Sequence, residues 1–156
     1  MAAGRQKAQR EVLRLRRSLA RAEQLLADLD RQLLAPDGLC TSDLDILEWL
    51  VRKGTRPING LARRVGLTSG SMTTAVQRLK RRGLVRTRRD LKDKRVVFVA
   101  VSADGQILAK RLTERRAEVL GDAFAVWTDR ERTVLLNLLK RLRHNVSGRG
   151  GPVAKT

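Results

Sequence analysis

Apolar positions in the first 34 residues repeat at helical spacing. Between residues 5 and 34 they recur at alternating intervals of three and four, and Pro36-Asp37-Gly38 follows them. This a/d repeat predicts one long helix that ends before the proline. A helix with such a stripe has to bury it on its own domain or against a second chain. At this length and charge we expect a dimer, with a seam that includes Val12, Leu15, Leu19, Leu26 and Leu29.

Two shorter helices are predicted next. The first spans residues 42–53, with Thr41 or Ser42 as its N-cap, Gly54 at its end and an inner face made of Leu44, Leu47, Leu50 and Val51. The second begins at Pro57, ends at Gly66 and turns inward Ile58, Leu61, Ala62 and Val65.

A further helix, capped by Thr68 or Ser69 and reaching Arg82, has two different faces. Met72, Ala75, Val76 and Leu79 form its buried stripe. Short polar side chains on the other face would let a DNA duplex approach, and Gln or Arg can reach base edges. A short helix, a glycine turn and this helix predict a helix-turn-helix. Its candidate DNA contacts are Ser69, Ser71, Thr73, Thr74, Gln77, Arg78 and Arg81.

A β-hairpin is predicted after this helix. Residues 84–87 and 96–101 have the composition of strands, and residues 90–94 form the turn between them. The second strand is apolar on both faces, so we expect it to lie under the helices. The tip is strongly basic, as expected of a wing that grips DNA phosphates. Its candidate contacts are Arg88, Arg89, Lys92, Asp93, Lys94 and Arg95.

The C-terminal third is again helical in pattern. One helix is predicted from Asp104 or Gln106 to Phe124, and Thr128-x-x-Glu131 is the spacing of a capping box that opens a second. Leu135, Leu138 and Leu142 lie on one face of the second and are candidates for the dimer interface. The predicted fold class is therefore mainly α with a small β-hairpin wing. We expect dimerisation helices over residues 1–38 and 103–146, a DNA-binding domain over 39–102, and a disordered tail over 147–156.

Charge narrows the choice of partner. The formal net charge is +18, and residues 55–95 contain 13 basic residues against two acidic ones. Such an excess favours nucleic acid, with an anionic membrane surface second. No run approaches the roughly 18 apolar residues of a membrane span, and no hydrophobic block predicts a signal peptide. A single cysteine is typical of a reducing cytosol.

No catalytic or metal-binding constellation is visible in the sequence. The one histidine, His144, lies on the last helix, so no credible Ser-His-Asp triad or Cys/His zinc cluster can be assembled. We therefore expect neither an enzyme nor a cofactor.

The order of elements, with LTSGSMTTAVQRLKRRGLV followed by DLKDKRVVFVAVSADG, resembles the MarR family of bacterial transcriptional regulators. The resemblance is strongest over residues 40–112. It implies a winged helix-turn-helix that is dimeric through its terminal helices. It also implies that Arg95 enters the minor groove, that Asp93 orients the wing, and that the protein acts in the bacterial cytoplasm at the nucleoid.

The resemblance also raises two modes of regulation. Family members often bind phenolic or other aromatic anions, and a pocket in this chain would have to use Trp49, Phe98, Phe124 or Trp127. A peroxide-sensing branch uses a reactive cysteine in its first helix, whereas Cys40 lies just beyond that helix and the chain has no tyrosine.

The sequence thus predicts a dimeric, sequence-specific regulator of transcription that binds a pseudo-palindromic operator, and the resemblance implies that it represses and is relieved by a small ligand. Two alternatives stay open. One is an architectural protein that binds any duplex, for which the basic stretch from Arg5 to Arg21 would be useful. The other is a redox-sensing regulator that acts through Cys40.

Overall fold

The computed structural model describes residues 2–149, which form six α-helices, a short 3-10 helix (Ala35–Asp37) and one small sheet. The helices are α1 (Ala2–Leu34), α2 (Thr41–Lys53), α3 (Ile58–Val65), α4 (Ser69–Arg81), α5 (Ala103–Phe124) and α6 (Asp129–Arg149). The strands are β1 (Arg56–Pro57), β2 (Val85–Arg89) and β3 (Val97–Val101). The fold class predicted from the sequence, mainly α with a hairpin wing, is confirmed.

The sheet is antiparallel, in the order β1-β3-β2. The hairpin β2–β3 pairs Val85 with Val101 at its base and Arg89 with Val97 at its outer end. The sequence did not predict β1, because two residues are too few to show an alternating pattern. β1 covers the other edge of β3 by pairing Arg56 with Val99, so the apolar strand is central and Val99 is fully buried.

The core of the segment up to Arg116 is built around α2, which contacts α1, α3, α4 and β3. Leu44, Leu47 and Leu50 are fully buried, as predicted. The prediction for Val51 was wrong: it is 49% exposed because it borders an open cleft, and Ile46 is buried instead. The predicted N-cap was also wrong, since Cys40 caps α2 and its N–H donates to the carboxylate of Asp43 at 3.1 Å.

The start of α5 is fastened to the base of the hairpin. Ser102 Oγ donates to the carbonyl of Gly83 at 2.6 Å and accepts from the N–H of Gly105 at 3.0 Å. A Cβ on Gly105 would lie 2.1 Å from the carbonyl oxygen of Leu84. Only glycine fits this contact, which explains why a glycine stands in the first turn of a helix.

The segment from Ala117 onward forms a second compact unit. The predicted capping box is present, since Thr128 N donates to Glu131 Oε2 at 2.8 Å and Glu131 N donates back to Thr128 Oγ1 at 3.3 Å. The hydrogen bonds that Thr128 N and Thr128 Oγ1 donate to the carboxylate lower the pKa of Glu131. We predicted a disordered tail from Ser147, but α6 continues to Arg149, and residues 150–156 lie outside the described part.

Candidate nucleic-acid interface

Helix α4 presents the polar face that the sequence predicts. Thr68 is its N-cap and accepts a hydrogen bond from Ser71 N at 3.2 Å. The four predicted core residues Met72, Ala75, Val76 and Leu79 are buried, whereas Ser69, Ser71, Thr73, Thr74, Gln77 and Arg81 are exposed. The α4 backbone is therefore held by its apolar side, and the opposite side is open to a ligand.

Two threonines on this face have their hydroxyls turned back onto the helix. Thr73 Oγ1 donates to the carbonyl of Ser69 at 2.9 Å, and Thr74 Oγ1 donates to that of Gly70 at 3.2 Å. Both hydroxyls are exposed side-chain groups already bonded within α4. Methyl groups of threonine are suited to contact the C5-methyl of thymine in a major groove.

Arg78 occupies a different environment from the rest of the predicted contacts. Its Nε donates to Asp43 Oδ2 at 3.0 Å, its Nη2 donates to Asp43 Oδ1 at 2.7 Å, and the same Nη2 lies 3.1 Å from Cys40 Sγ. These hydrogen bonds, opposed by partial burial, raise the pKa of Arg78. The guanidinium thus ties α4 to the start of α2 and is not free on the helix surface as the sequence suggested.

Asp43, which the sequence analysis overlooked, is the centre of this junction. It is fully buried, and its carboxylate accepts hydrogen bonds from Cys40 N, Cys40 Sγ and Arg78. A buried carboxylate needs such charged and polar donors to offset its desolvation. Its place as the third residue of an N-capped helix is the signal that could have found it. Arg82 adds a second tie, because its guanidinium donates to the carbonyls of Asp37 and Gly38 at 2.7 and 3.0 Å.

The wing tip is shaped by two aspartates. Asp90 Oδ1 accepts from the N–H groups of Lys92 and Asp93 at 2.8 and 3.0 Å, and Asp93 Oδ1 accepts from Arg95 N at 2.9 Å. The backbone hydrogen bonds from Asp93 and Lys92 lower the pKa of Asp90. Asp93 therefore fixes the backbone that carries Arg95. Asp90 does the same for the first half of the turn, a role that the sequence analysis did not assign.

The cations of the wing are exposed and unpaired. Within residues 2–149, no carboxylate oxygen lies within 4.0 Å of the charged groups of Arg88, Arg89, Lys92, Lys94 or Arg95. Leu91, at the very tip, is 85% exposed. The tip thus holds a concentrated positive charge that is available to an anionic partner.

A cleft of about 990 Å³ lies between α2, α3 and α5. Trp49 lies in its wall, with the guanidinium carbons of Arg52 and Arg64 each 4.8 Å from the ring centroid. Val51 and Ile107, both exposed, add apolar lining. Of the four aromatic residues considered for a pocket, only Trp49 contributes here. Phe98 lies on β3 outside the lining, and Phe124 packs edge-to-face on Trp127 at 5.3 Å in the C-terminal unit.

The acidic residues of the cleft are already paired. Arg116 donates to Asp30 at 2.8 Å and to Asp45 at 3.3 Å, and it lies 3.8 Å from Glu48. Burial opposes the charge of Arg116, but the hydrogen bonds and charge attraction of Asp30 and Asp45 outweigh burial and raise the pKa of Arg116. In the described part of the chain, Arg52 and Arg64 have no carboxylate within 4.0 Å. The lining as a whole is neutral, with Arg52, Arg64 and Lys110 against Asp45, Glu48 and Glu114, but the two arginines beside Trp49 are the ones that no carboxylate in this part of the chain pairs.

The predicted dimer residues lie mostly on the surface of the single chain. Val12 and Leu15 are 63% and 60% exposed, Leu19, Leu138 and Leu142 are also exposed, and Leu26, Leu29 and Leu135 are half-buried. Val12, Leu15 and Leu19 of α1 are thus not packed on their own domain.

Within residues 2–149, no cluster of three or more His, Cys, Asp or Glu could hold a metal ion, and no helix is both long and apolar enough to cross a membrane.

The comparisons of this chain with known proteins agree with one another. A sequence model described as the MarR family matches residues 37–96. Among curated proteins, the HTH-type transcriptional regulator MhqR of Bacillus subtilis (strain 168) is 26% identical over 127 residues, which is 81% of this chain and 88% of MhqR. The segment matched by the sequence model includes all of α4, strand β2 and the wing turn, and it ends just before β3.

Two solved structures are similar in fold. One is BpsR of Bordetella bronchiseptica, whose DNA binding is described as regulated by 6-hydroxynicotinic acid; its TM-score is 0.77 at 21% identity, over 83% of this chain and 98% of that one. The other is a mutant of MarR from E. coli complexed with operator DNA, with a TM-score of 0.76 at 20% identity, over 85% and 95% of the two chains.

Proposed function

We propose that the protein is a homodimeric repressor of the MarR family, whose sequence model matches residues 37–96, and that it binds a pseudo-palindromic operator and is released by a small organic anion. The observation that carries the proposal is the combination of an open polar face on α4 with a wing whose five cations have no carboxylate partner within residues 2–149. Both features lie inside the matched segment. They suit the two surfaces of a duplex, base edges in a groove and the phosphates beside it.

In this proposal α4 is the recognition helix. Gln77 and Arg81 are its long exposed side chains and would read base edges, while Ser69, Ser71, Thr73 and Thr74 would make close contacts near its start. Arg78 is assigned a positioning role, because its guanidinium is held by Asp43. We retain residues 39–102 as the proposed DNA-binding domain.

The wing would enter the neighbouring minor groove. Arg95 is the proposed minor-groove contact, and its backbone is held by Asp93. Arg88, Arg89, Lys92 and Lys94 would lie against phosphates. A narrow, A·T-rich minor groove would strengthen this contact because its negative potential is greater.

Dimerisation would bring two such domains onto one operator. The exposed apolar residues of α1 and α6 support this step, since a stripe with Val12 and Leu15 in water on one chain can be buried by a second copy. Two recognition helices would then enter major grooves about 34 Å apart, one turn of the duplex. Relief of repression requires a ligand that prefers the dimer geometry with lower operator affinity.

The cleft at Trp49 is the proposed effector site. A flat, apolar ring beside two guanidinium groups that no carboxylate of the described residues pairs suits a planar organic anion, and about 990 Å³ is at the upper end of the size range of ligand pockets. The regulation of BpsR by 6-hydroxynicotinic acid supports this class of ligand. Arg64 lies on α3, so a bound anion would contact the helix-turn-helix directly.

The test of the DNA-binding proposal is selection of duplexes by the purified protein, followed by titration of the best site and a scrambled duplex at two salt concentrations. A regulator should prefer its site by about 10³-fold or more. Its affinity should fall with salt by a log–log slope of about −0.9 per phosphate neutralised. Equal affinity for both duplexes would instead support an architectural protein.

The effector site can be tested separately with 6-hydroxynicotinic acid and related aromatic carboxylates. We expect such an anion to weaken operator binding of the unmodified protein, and Arg64→Gln to lose that response. The matched control is Arg63→Gln, an exposed neighbour on the same helix that does not line the cleft. An equal response in both variants would place the effector elsewhere.

A further inference from the structure

The outer part of α1 carries a row of positive charge that the operator-binding surface does not use. Lys7, Arg10, Arg14, Arg17 and Arg21 follow one another at intervals of three, four, three and four residues, so they form one stripe on the helix. The apolar seam through Val12, Leu15 and Leu19 lies on the opposite side by the same repeat. When a second chain covers the seam, the cationic stripe remains outward.

The stripe is accessible and its charge is uncompensated. Every residue from Gly4 to Leu25 is exposed, so this part of α1 is not covered by the core of its own unit. In the described residues, no carboxylate oxygen lies within 4.0 Å of the five cations. The only acidic residues of this stretch, Glu11 and Glu23, lie off the stripe.

The dimensions of the stripe suit a duplex backbone. At 1.5 Å per residue, it is about 21 Å long from Lys7 to Arg21, and Lys7 lies about 28 Å along the helix from Leu26, where α1 first becomes half-buried. A B-DNA strand presents one phosphate per about 3.4 Å of axis, so five cations at about 5 Å intervals can each find a phosphate. The row contains no aromatic side chain to read or stack on bases, so such binding would be independent of sequence.

We infer that the stripe from Lys7 to Arg21 is a second DNA-binding surface, which holds the phosphate backbone of another duplex segment while the winged domains hold the operator. This inference rests on the proposed DNA-binding function of residues 39–102. An anionic membrane is the less suitable partner, because a helix that lies on a membrane inserts its apolar face. In α1 that face is opposite the stripe and is assigned to the dimer.

The test uses full-length protein with four changes on the stripe, Arg10→Gln, Arg14→Gln, Arg17→Gln and Arg21→Gln, which keep good helix formers at each position. The matched control removes the same charge from exposed positions on α5 and α6 that have no carboxylate within 4.0 Å, through Arg115→Gln, Arg130→Gln, Lys140→Gln and Arg141→Gln. An operator duplex on beads is saturated with each protein, and capture of a fluorescent non-operator duplex of about 60 base pairs is measured.

We expect the unmodified protein and the control to capture the second duplex and the stripe variant to lose at least tenfold in capture. All three should keep operator affinity within about twofold. Capture by the unmodified protein should fall more steeply with salt than capture by the stripe variant. The two log–log slopes should differ by about 3.6 if all four arginines of one α1 contact phosphates.

Several results would overturn the inference. They are undiminished capture by the stripe variant, equal loss in the control, no capture by the unmodified protein, or dissociation of the variant dimer in sedimentation. Binding of the stripe to phosphatidylglycerol vesicles without capture of DNA would assign it to membranes. If the unmodified protein shows no preference for an operator, the proposed function is wrong. The comparison of duplex capture between the stripe variant and the control still tests the stripe in that case.

Discussion

At the α2–α4 junction, the carboxylate of Asp43 accepts two hydrogen bonds from the guanidinium of Arg78. At the wing tip, Asp90 and Asp93 accept hydrogen bonds from backbone N–H groups. The guanidinium of Arg95 has no carboxylate within 4.0 Å among the described residues. The difference follows from burial. A buried carboxylate takes a charged donor, whereas an exposed aspartate in a turn is satisfied by the turn itself. The number of basic residues in a segment therefore does not give the charge that it can offer to DNA.

The largest effect should come from breaking the junction. Asp43→Ala removes the acceptor of Arg78 and of Cys40 N, and we expect the free energy of unfolding to fall by about 3 kcal/mol, since Arg78 can partly reach water. Denaturant titration measures this change. Asp28→Ala is the control, because its pair with Arg31 is an exposed pair one helical turn apart and its loss should cost less than about 1 kcal/mol. Equal losses in the two variants would contradict the structural role of the junction.

The next effect is on binding and leaves stability unchanged. Arg95→Ala should weaken operator affinity by about 1–3 kcal/mol, while denaturant midpoints stay the same because Arg95 is exposed and its side chain has no carboxylate partner in the described residues. Arg130→Ala removes an equal charge from α6 and should leave operator affinity unchanged within about twofold. Unaltered operator affinity in Arg95→Ala would remove the wing from the binding surface.

The wing aspartates allow a finer test through pH. The pKa of Asp90 in the folded chain lies below its ordinary value of 3.8, so its charge stabilises the turn fully above that value. This stabilisation is lost as the pH falls through the lower, folded pKa. Titration of the Asp90 carboxyl by NMR should give the lower midpoint. Asp90→Asn keeps an oxygen acceptor and should bind the operator better than Asp90→Ala. Tighter binding by Asp90→Ala would contradict the role of Asp90 in the turn.

The smallest effect is expected at Cys40. Its thiol lies 3.1 Å from Arg78 Nη2 and 3.2 Å from Asp43 Oδ2, and a serine can make similar contacts. Cys40→Ser should therefore bind the operator like the unmodified protein without oxidant. The redox alternative makes one further claim, which is a loss of operator binding after peroxide that disappears in Cys40→Ser. Identical responses to peroxide in both proteins would dismiss it.

The periodic parts of the fold were predictable from the sequence. Met72, Ala75, Val76 and Leu79 are buried as their spacing indicated, and Thr68 caps α4. A helix held by one apolar stripe repeats that stripe in its sequence, so its orientation follows from the repeat. The hairpin was visible for a similar reason, because an apolar strand follows a polar turn.

Contacts between elements far apart in sequence were not predictable in this way. The ion pair of Asp43 and Arg78 joins positions 35 residues apart, and neither residue is marked by periodicity. The cleft at Trp49 depends on where α3 and α5 meet α2, so composition alone could not show that Phe98, Phe124 and Trp127 lie outside its lining. Sequence reasoning found the polar face of α4 but could not say which of its arginines was already engaged.

The glycine at position 105 has a mechanical consequence. Because Ser102 and the close approach of Gly105 to Leu84 hold the start of α5 against the base of the hairpin, we expect the wing to move together with the start of α5. From the pair Val85–Val101 to the pair Arg89–Val97, the hairpin extends about 13 Å. The wing and the first turns of α5 would then move as one rigid unit. A tilt of this unit by about 10° would displace the outer end of the hairpin by about 2 Å, which is enough to break a hydrogen bond to a phosphate.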